Sequence, residues 1–545
     1  MSQLVKTHPH FFNLNLKSKN IYPGAVVFIL ILAVGLRFIG LDKGIWIDER
    51  MSLRWLEKTD DFGELILALR DYDKPPLYFL LLYLWSKLNN SLEFLRSFSI
   101  IFDLGTIAAV IAWLRRYSSQ ASILAGLYFT VAPILLRYSQ EIRPYSLLLF
   151  ATALAFFCAS RIAAEPEKPS GYIGLSLSLT LAVSTHLVGV MLMPALAIFI
   201  ILMAGIEKQK IHWMKGAVTF AIPCFVFGFF YFFYLTTLTE RTENWWMPPL
   251  SWPLISSTLQ YLFGFLSLHF SSKFDHLAAF LSLSIFAVAL IFGRWKQNFP
   301  FLVAALIFWL EIAFYSLLKT PIFFYRILLP GLVPFVGFVA LQIATIEMKK
   351  PKIISAALLL ILSLVFAGNW AAVGAKKPVE YYQQVGRLIE SEWRPNSLVV
   401  VYPGFISDTV SYYLKNTPEK AELAARNAGD LDRMKSDINE SISQINREEL
   451  KAVFLVSALS LGVDEDKLNR IFSAIKSEIK VPLVLKSFLI MSHDFTFARK
   501  LDKLNNLQTV LATLESQFGK PTFYKDEKVY VLSEYKLPGE SEDDL

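Results

Sequence analysis

The stretch Asp71-Tyr72-Asp73-Lys74-Pro75-Pro76-Leu77-Tyr78-Phe79-Leu80-Leu81-Leu82-Tyr83-Leu84-Trp85 sets three charges against two prolines and then runs apolar to Leu88, broken only by Ser86-Lys87. As a helix, residues 75–88 would be about 21 Å long, against a hydrocarbon core of about 30 Å. The segment is too short to cross a bilayer comfortably and too apolar for water. It reads as a helix half-immersed in one face of a membrane, with the proline step delivering its charges to the interface.

The rest of the chain agrees with that setting. Of 545 residues, 54% are hydrophobic and only 18% charged, below the quarter or so usual for soluble domains. Apolar runs of spanning length recur from Ile21 to about Ala372 and then stop. Residues 1–373 therefore form a membrane domain, and residues 374–545 have the composition of a soluble one. The first run, Ile21 to Leu41, lacks a small-residue cleavage site and reads as a retained anchor. Cys158 and Cys224 both lie in apolar runs, so no structural disulfide is expected. The net charge of +7 is scattered through short loops, which is the mark of membrane topology and not of nucleic-acid binding.

Short loops rich in lysine and arginine stay in the cytoplasm. The candidates are Lys6/Lys17/Lys19, Arg115-Arg116, Arg161 with Lys168, Lys208/Lys210/Lys215, Arg294/Lys296 and Lys349-Lys350/Lys352. All fall on one side if residues 75–88 and 254–270 lie at the outer surface. Eleven crossings result, at roughly 22–41, 96–114, 121–137, 144–161, 171–186, 188–206, 215–236, 276–293, 299–317, 323–346 and 353–372. Counting both short segments as crossings gives thirteen, with the same side for the carboxy terminus. The expectation is a multi-pass protein of the cell (inner or plasma) membrane, amino terminus cytoplasmic and carboxy-terminal domain outside.

With that topology the unusual polar groups collect on the outer face. They are Asp48-Glu49, Asp73-Lys74, Arg96, the run Arg137-Tyr138-Ser-Gln-Glu141-Ile-Arg143-Pro-Tyr145, His186 and Tyr325-Arg326. Carboxylates, a lysine and arginines at this depth suit a substrate with a phosphate head and a lipid tail. Each residue also has a plainer role. Asp48-Glu49 suits a helix start, Lys74 a snorkelling anchor paired with Asp73, and His186 a helix end. Asp103 and Glu311 lie inside crossings, where an ionisable group is costly and becomes a functional candidate. The convergence on one face favours a site.

These marks resemble the GT-C class of integral-membrane glycosyltransferases that use polyprenyl-phosphate-linked sugars, in particular protein O-mannosyltransferases and the aminoarabinose transferases of lipid A. The resemblance rests on Asp48-Glu49 after the first crossing, Lys74-Pro-Pro-Leu77, and a crossing opened by Arg96. Pro133…Arg137-Tyr-Ser…Arg143 and Tyr325-Arg326-Ile-Leu-Leu-Pro330 complete it. It covers residues 22–372 and is strongest over 40–150. One departure is Gln140-Glu141, where the aminoarabinose transferases carry an aspartate.

The resemblance implies an inverting displacement at an anomeric carbon. Asp48 would be the general base and Glu49 would shape the site. Lys74 with Asp73, Arg96, Arg143 and Arg326 would hold the donor's phosphate and sugar, and Tyr138, Glu141, His186 and Tyr325 are further candidates. The donor would be a polyprenyl-phosphate sugar and the acceptor a lipid, glycan or protein. The third outer loop has no Asp-x-Asp spacing, so no metal ligand or other cofactor is assigned, although some members of the wider class are metal-dependent. The competing class is a transporter or lipid flippase; the chain shows neither an internal repeat nor paired broken helices in its favour.

In the soluble tail, Ser397–Tyr402, Lys451–Val456 and Lys528–Leu532 read as strands. Asp464–Ile479 and Leu501–Phe518 read as helices, and 419–450 as solvated helix. The expected result is an extracytoplasmic α/β domain with a small sheet, acting as a cap or acceptor guide.

Overall fold

The computed structural model describes residues 21–59, 61–70, 75–234, 247, 249–263, 272–372, 382–391, 393, 397–402 and 406–414, together with strands at 421–424, 452–458, 484–490, 522–523 and 529–536. The chain divides into two units, Met1–Asp42 with Ser52–Lys377 and Lys43–Met51 with Pro378–Leu545.

The first unit is helical. In chain order it holds α1 (Ile21–Phe38), most of α2 (Ile47–Lys58), α3 (Phe62–Arg70), α4 (Leu77–Ser86), α5 (Leu92–Arg115), α6 (Ser119–Val131), α7 (Pro133–Ser139) and α8 (Tyr145–Ala164). There follow α9 (Pro169–Thr185), α10 (Leu192–Ile206), α11 (Trp213–Tyr234), α12 (Trp252–Leu262), α13 (Ser272–Phe292), α14 (Trp295–Leu318), α15 (Tyr325–Ala344) and α16 (Lys349–Ala372). A helix stands at each of the eleven expected crossings. Among the described residues, seven are long and apolar enough to span: α5, α8, α10 with the turn before it, α11, α14, α15 and α16. The pair α6 and α7 makes an eighth if taken as one bent span. The protein is thus a multi-pass membrane protein. The short α4, at 10 residues and about 15 Å, cannot cross alone. Of the expected 254–270 segment, residues 264–270 lie outside the described residues.

The bend in α6/α7 has a chemical cause. Pro133 has no N–H to continue the ladder, so α6 stops and Pro133 starts a new helix at a position that suits its fixed φ. The two axes differ by 62°. The bend brings the arginine-rich run into the protein interior: every residue from Pro133 to Leu149 is buried.

Two devices hold the helices around it. Arg37, at the end of α1, is completely buried. Its Nε pairs with Asp103 of α5, Nη1 donates to Thr130 O at 2.8 Å and Nη2 to Phe129 O at 2.9 Å. One side chain thus ties α1, α5 and α6 together. Asp103 is its ion-pair partner, which gives that intramembrane acid a structural role. Elsewhere Trp113 packs against Phe156 and Phe301 at centroid distances of 5.3 Å, and its Nε1 donates to Ser160 Oγ at 2.6 Å. Glu311 is half-buried on α14.

The second unit contains α17 (Tyr382–Ser391), β1 (Ser397–Tyr402), α18 (Ser407–Tyr413), β2 (Ala421–Ala424), β3 (Ala452–Ala458), β4 (Val484–Ile490), β5 (Thr522–Phe523) and β6 (Val529–Lys536). The sheet order is β2-β1-β3-β4-β6-β5. The first four strands run parallel, and β6 is antiparallel to both β4 and β5. Val399 and Val401 of β1, Tyr382, Val385 and Ile389 of α17, and Val410 of α18 form one core. Spacing of three and four puts the α17 members on one face.

The sequence reading needs correction here. The opening of the 419–450 stretch is an edge strand, β2, and not helix, and β4 and β5 lack the clean alternation that would have revealed them. The helices expected at 464–479 and 501–518 lie outside the described residues. By packing, the chain divides after Lys377, and Lys43–Met51 groups with the second unit.

Candidate active site

Within the helical unit, the predicted residues of the run 137–145 form one buried cluster. Arg137 of α7 and Glu141, one turn on, pair through Nε and Oε1 at 2.8 Å, with side chains 4% and 1% exposed. The bend at Pro133 and the turn before Pro144 create this arrangement. Arg137 Nη1 reaches Tyr325 Oη at 3.5 Å, and its guanidinium lies 5.4 Å from the Tyr138 ring centroid.

The tyrosines form a continuous run of rings. Tyr261 lies 5.1 Å from Tyr325, Tyr325 6.4 Å from Tyr138, Tyr138 4.9 Å from Tyr145 and Tyr145 6.0 Å from His186. Two further arginines border this run. Arg143 stands 5.9 Å from the Tyr145 ring and 3.5 Å from Ser52 Oγ. Arg326, the second residue of α15, stands 5.3 Å from Phe324. Both are buried. α7, α8, α12 and α15 supply the rings.

Arg96 enters from α5. It is fully buried and donates from Nη1 to Leu41 O at 2.5 Å. One turn later, Ser99 Oγ donates to Glu141 O at 2.6 Å and sits 3.4 Å from Tyr78 Oη of α4. Gln140 Nε2 donates to Arg37 O and Ile39 O at 2.7 and 2.8 Å. The loop carrying Glu141 is therefore fastened on both sides to α1 and α5. Residues around a charge that are themselves pinned hold it ready without reorganisation.

His186 takes its place at the end of α9. Its Nδ1 accepts from Val188 N–H at 3.2 Å, while its own N–H donates to Ala182 O at 2.9 Å. Behind it, a side chain on Gly189 would fall 2.6 Å from the Ala182 backbone. His186 is a helix-joint residue with one ring face toward Tyr145.

The structure thus brings together Arg96, Tyr138, Glu141, Arg143, Tyr325 and Arg326, with His186 at one end. Asp48 and Glu49 belong to the second unit, in the first turn of α2, where Asp48 is half-buried and Glu49 buried. Asp73 and Lys74 lie outside the described residues. Reasoning from sequence undervalued Arg137, Tyr145, Tyr261 and Gln140. The first could have been found from its spacing of four to Glu141, the geometry of an intrahelical ion pair. Among the described residues, no three of His, Cys, Asp and Glu gather as a metal ion needs.

Buried guanidiniums beside tyrosine faces suit a particular ligand. Arginine's rigid fork matches phosphate oxygens, and aromatic rings stack on sugar and acyl surfaces while their hydroxyls stay available for hydrogen bonds. Residues 73–247 match the model of the dolichyl-phosphate-mannose-protein mannosyltransferase family. The match opens at the aspartate before Lys74-Pro-Pro-Leu77 and takes in α4 to α11. It bears out the resemblance read from the sequence: the class is a membrane glycosyltransferase that draws its sugar from a polyprenyl phosphate. The transporter alternative gains nothing from it.

No curated protein matches the chain. Among solved structures, ArnT from Cupriavidus metallidurans in the apo state is similar at 12% identity and a TM-score of 0.44, covering 88% of this chain and 95% of that one. The Archaeoglobus fulgidus oligosaccharyltransferase AglB, in complex with an inhibitory peptide and a dolichol-phosphate, is similar at 11% identity and a TM-score of 0.45, covering 86% and 69%.

Proposed function

We propose that this glycosyltransferase works at the outer face of the membrane by an inverting displacement, passing a hexose or pentose from its polyprenyl-phosphate donor to a lipid, glycan or protein acceptor of the cell envelope. Asp48 takes the proton from the acceptor's nucleophile, which attacks the anomeric carbon. The bond from that carbon to the phosphate oxygen breaks, and the polyprenyl phosphate leaves with the electron pair. Lys74 and Asp73 border the leaving group. Lys74, Arg143 and Arg326 meet the charge that grows on it, Arg96 and Glu141 brace the arginine cluster, and Glu49 shapes the base's surroundings. Tyr138 and Tyr325 supply faces for the sugar or the first isoprene units. The carboxy-terminal domain belongs outside, on the acceptor's side.

The observation that carries this reading is the buried arginine–tyrosine cluster, of which Arg96, Arg137, Tyr138, Glu141, Arg143 and Tyr145 lie inside the segment 73–247 that matches the mannosyltransferase family model. Its test is the release of polyprenyl phosphate by the purified full-length protein. Asp48→Asn is expected to lower turnover by roughly 10²–10⁴ with donor affinity kept. Lys74→Ala is expected to weaken donor binding and turnover together, without rescue by arginine, whose planar fork differs from a compact ammonium. A correctly inserted Asp48→Asn protein working at the wild-type rate would overturn the assignment of the base.

A further inference from the structure

The segment Lys43–Met51, which carries Asp48 and Glu49, folds as part of the carboxy-terminal unit, and named side chains of that unit grip it on both flanks. Upstream, Gly44 runs so close that a β-carbon there would lie 3.1 Å from Tyr413 Oη and 3.2 Å from Gln383 Cβ. The next residue, Ile45, donates its N–H to Tyr413 Oη at 2.6 Å. Ile47 packs against the core built from α17, β1 and α18. Downstream, Arg50 is buried and pairs with Asp408, its Nη2 donating to Oδ1 at 3.2 Å and its Nε standing 3.1 Å from Oδ2. Its guanidinium also lies 5.1 Å from the Tyr412 ring. Ile47 and Arg50, three apart, share a helix face, and that face is committed to the domain. Asp48 lies about 100° around the helix from Ile47.

These handles come from α17, α18 and the core they share with β1, and they flank the acids on both sides. We propose that Tyr413 and Asp408, acting through Ile45 and Arg50, are positioning residues that set the Asp48 carboxylate for proton transfer, so that the carboxy-terminal domain is a working part of the base and not only a cover. The inference rests on the reading of Asp48 as general base. A base displaced by about an ångström loses much of its effect, commonly up to about a hundredfold in rate. The donor contacts argued above lie in the other unit, so donor affinity has no reason to follow.

The experiment uses the full-length protein in detergent or nanodiscs with a polyprenyl-phosphate sugar as donor. Asp408→Asn, Tyr413→Phe and Arg50→Glu are expected to lower kcat by about tenfold to a hundredfold while the donor's KM stays within about twofold. The double variant Arg50→Glu with Asp408→Arg is expected to recover most of kcat, because the ion pair is restored in reverse. In an Asp48→Asn background, adding Asp408→Asn is expected to cost little more, as for residues that act through one group. Single variants with wild-type kcat, or losses that multiply in the Asp48→Asn background, would overturn the inference while leaving Asp48 as base. A wild-type rate for Asp48→Asn alone would instead remove the base assignment, so the two failures are told apart.

Discussion

Among the described residues of the helical unit, the buried pairs Arg37–Asp103 and Arg137–Glu141 are built for different ends. Arg37 meets Asp103 and turns its other donors to the carbonyls of Ala33, Phe129 and Thr130. Its surroundings are main chain, and its effect is to lock three helices. Arg137 meets Glu141, yet it also lies against the ring of Tyr138 and the hydroxyl of Tyr325. Its surroundings are side chains with aromatic faces and hydroxyls. An arginine whose donors end on backbone carbonyls is a fastener; one set among tyrosines is the binding surface we propose.

The largest expected effect lies in the fastener. Arg37→Ala or Asp103→Ala strands a buried charge and should cost about 3–5 kcal/mol of stability. Thermal melting in detergent would show it, with turnover per folded molecule close to normal. Replacing both by apolar residues of similar volume, Arg37→Met with Asp103→Leu, should recover most of that loss. The same double exchange at Arg137 and Glu141 should leave a folded protein that is slower by about 10²–10³, the usual scale for removing one preorganised electrostatic contact. If the exchange at Arg37 and Asp103 also abolished turnover, the contrast between the two pairs would be broken.

Smaller effects sharpen it. His186→Ala removes the ring nitrogen that accepts from Val188 N–H, a cap worth about 1 kcal/mol. A fall in kcat beyond that expected from lost folding would promote His186 from joint to catalyst. Smallest of all is the surface cluster of Glu167 and His212, in the loops after α8 and α10, with Lys215 in the first turn of α11. The hydrogen bond from His212 at 2.7 Å, with the lysine's help, holds the Glu167 carboxyl below its ordinary range. Its contribution is present above that range and is lost as pH falls through the lowered value. The group is fully exposed and screened by salt. Glu167→Gln should therefore leave melting at neutral pH unchanged and flatten only a slight acid-side decline.

The helices were legible because a bilayer demands about 20 consecutive apolar residues, a signal strong enough to survive without partners. The bend at Pro133 was legible in principle from proline chemistry. The cluster was partly legible, since Arg137, Glu141 and Arg143 lie within seven residues of sequence. The role of Asp103 was not, because Arg37 is 66 residues away and no local spacing announces the pair. For the same reason the grouping of Asp48 with α17 and α18 was hidden: Arg50 and Asp408 are 358 positions apart. β2 was misread because four residues at a sheet edge leave too short a pattern beside a polar run.

The most direct test of the account is equilibrium binding of polyprenyl phosphate to the full-length protein in nanodiscs. Arg143→Ala and Arg326→Ala are expected to weaken binding about tenfold or more each, the scale of a lost charge-assisted contact, while Arg37→Met with Asp103→Leu binds as the wild type does. Undiminished binding by the Arg143 and Arg326 variants, with loss in the Arg37 and Asp103 pair, would contradict the placement of the donor site in the arginine–tyrosine cluster.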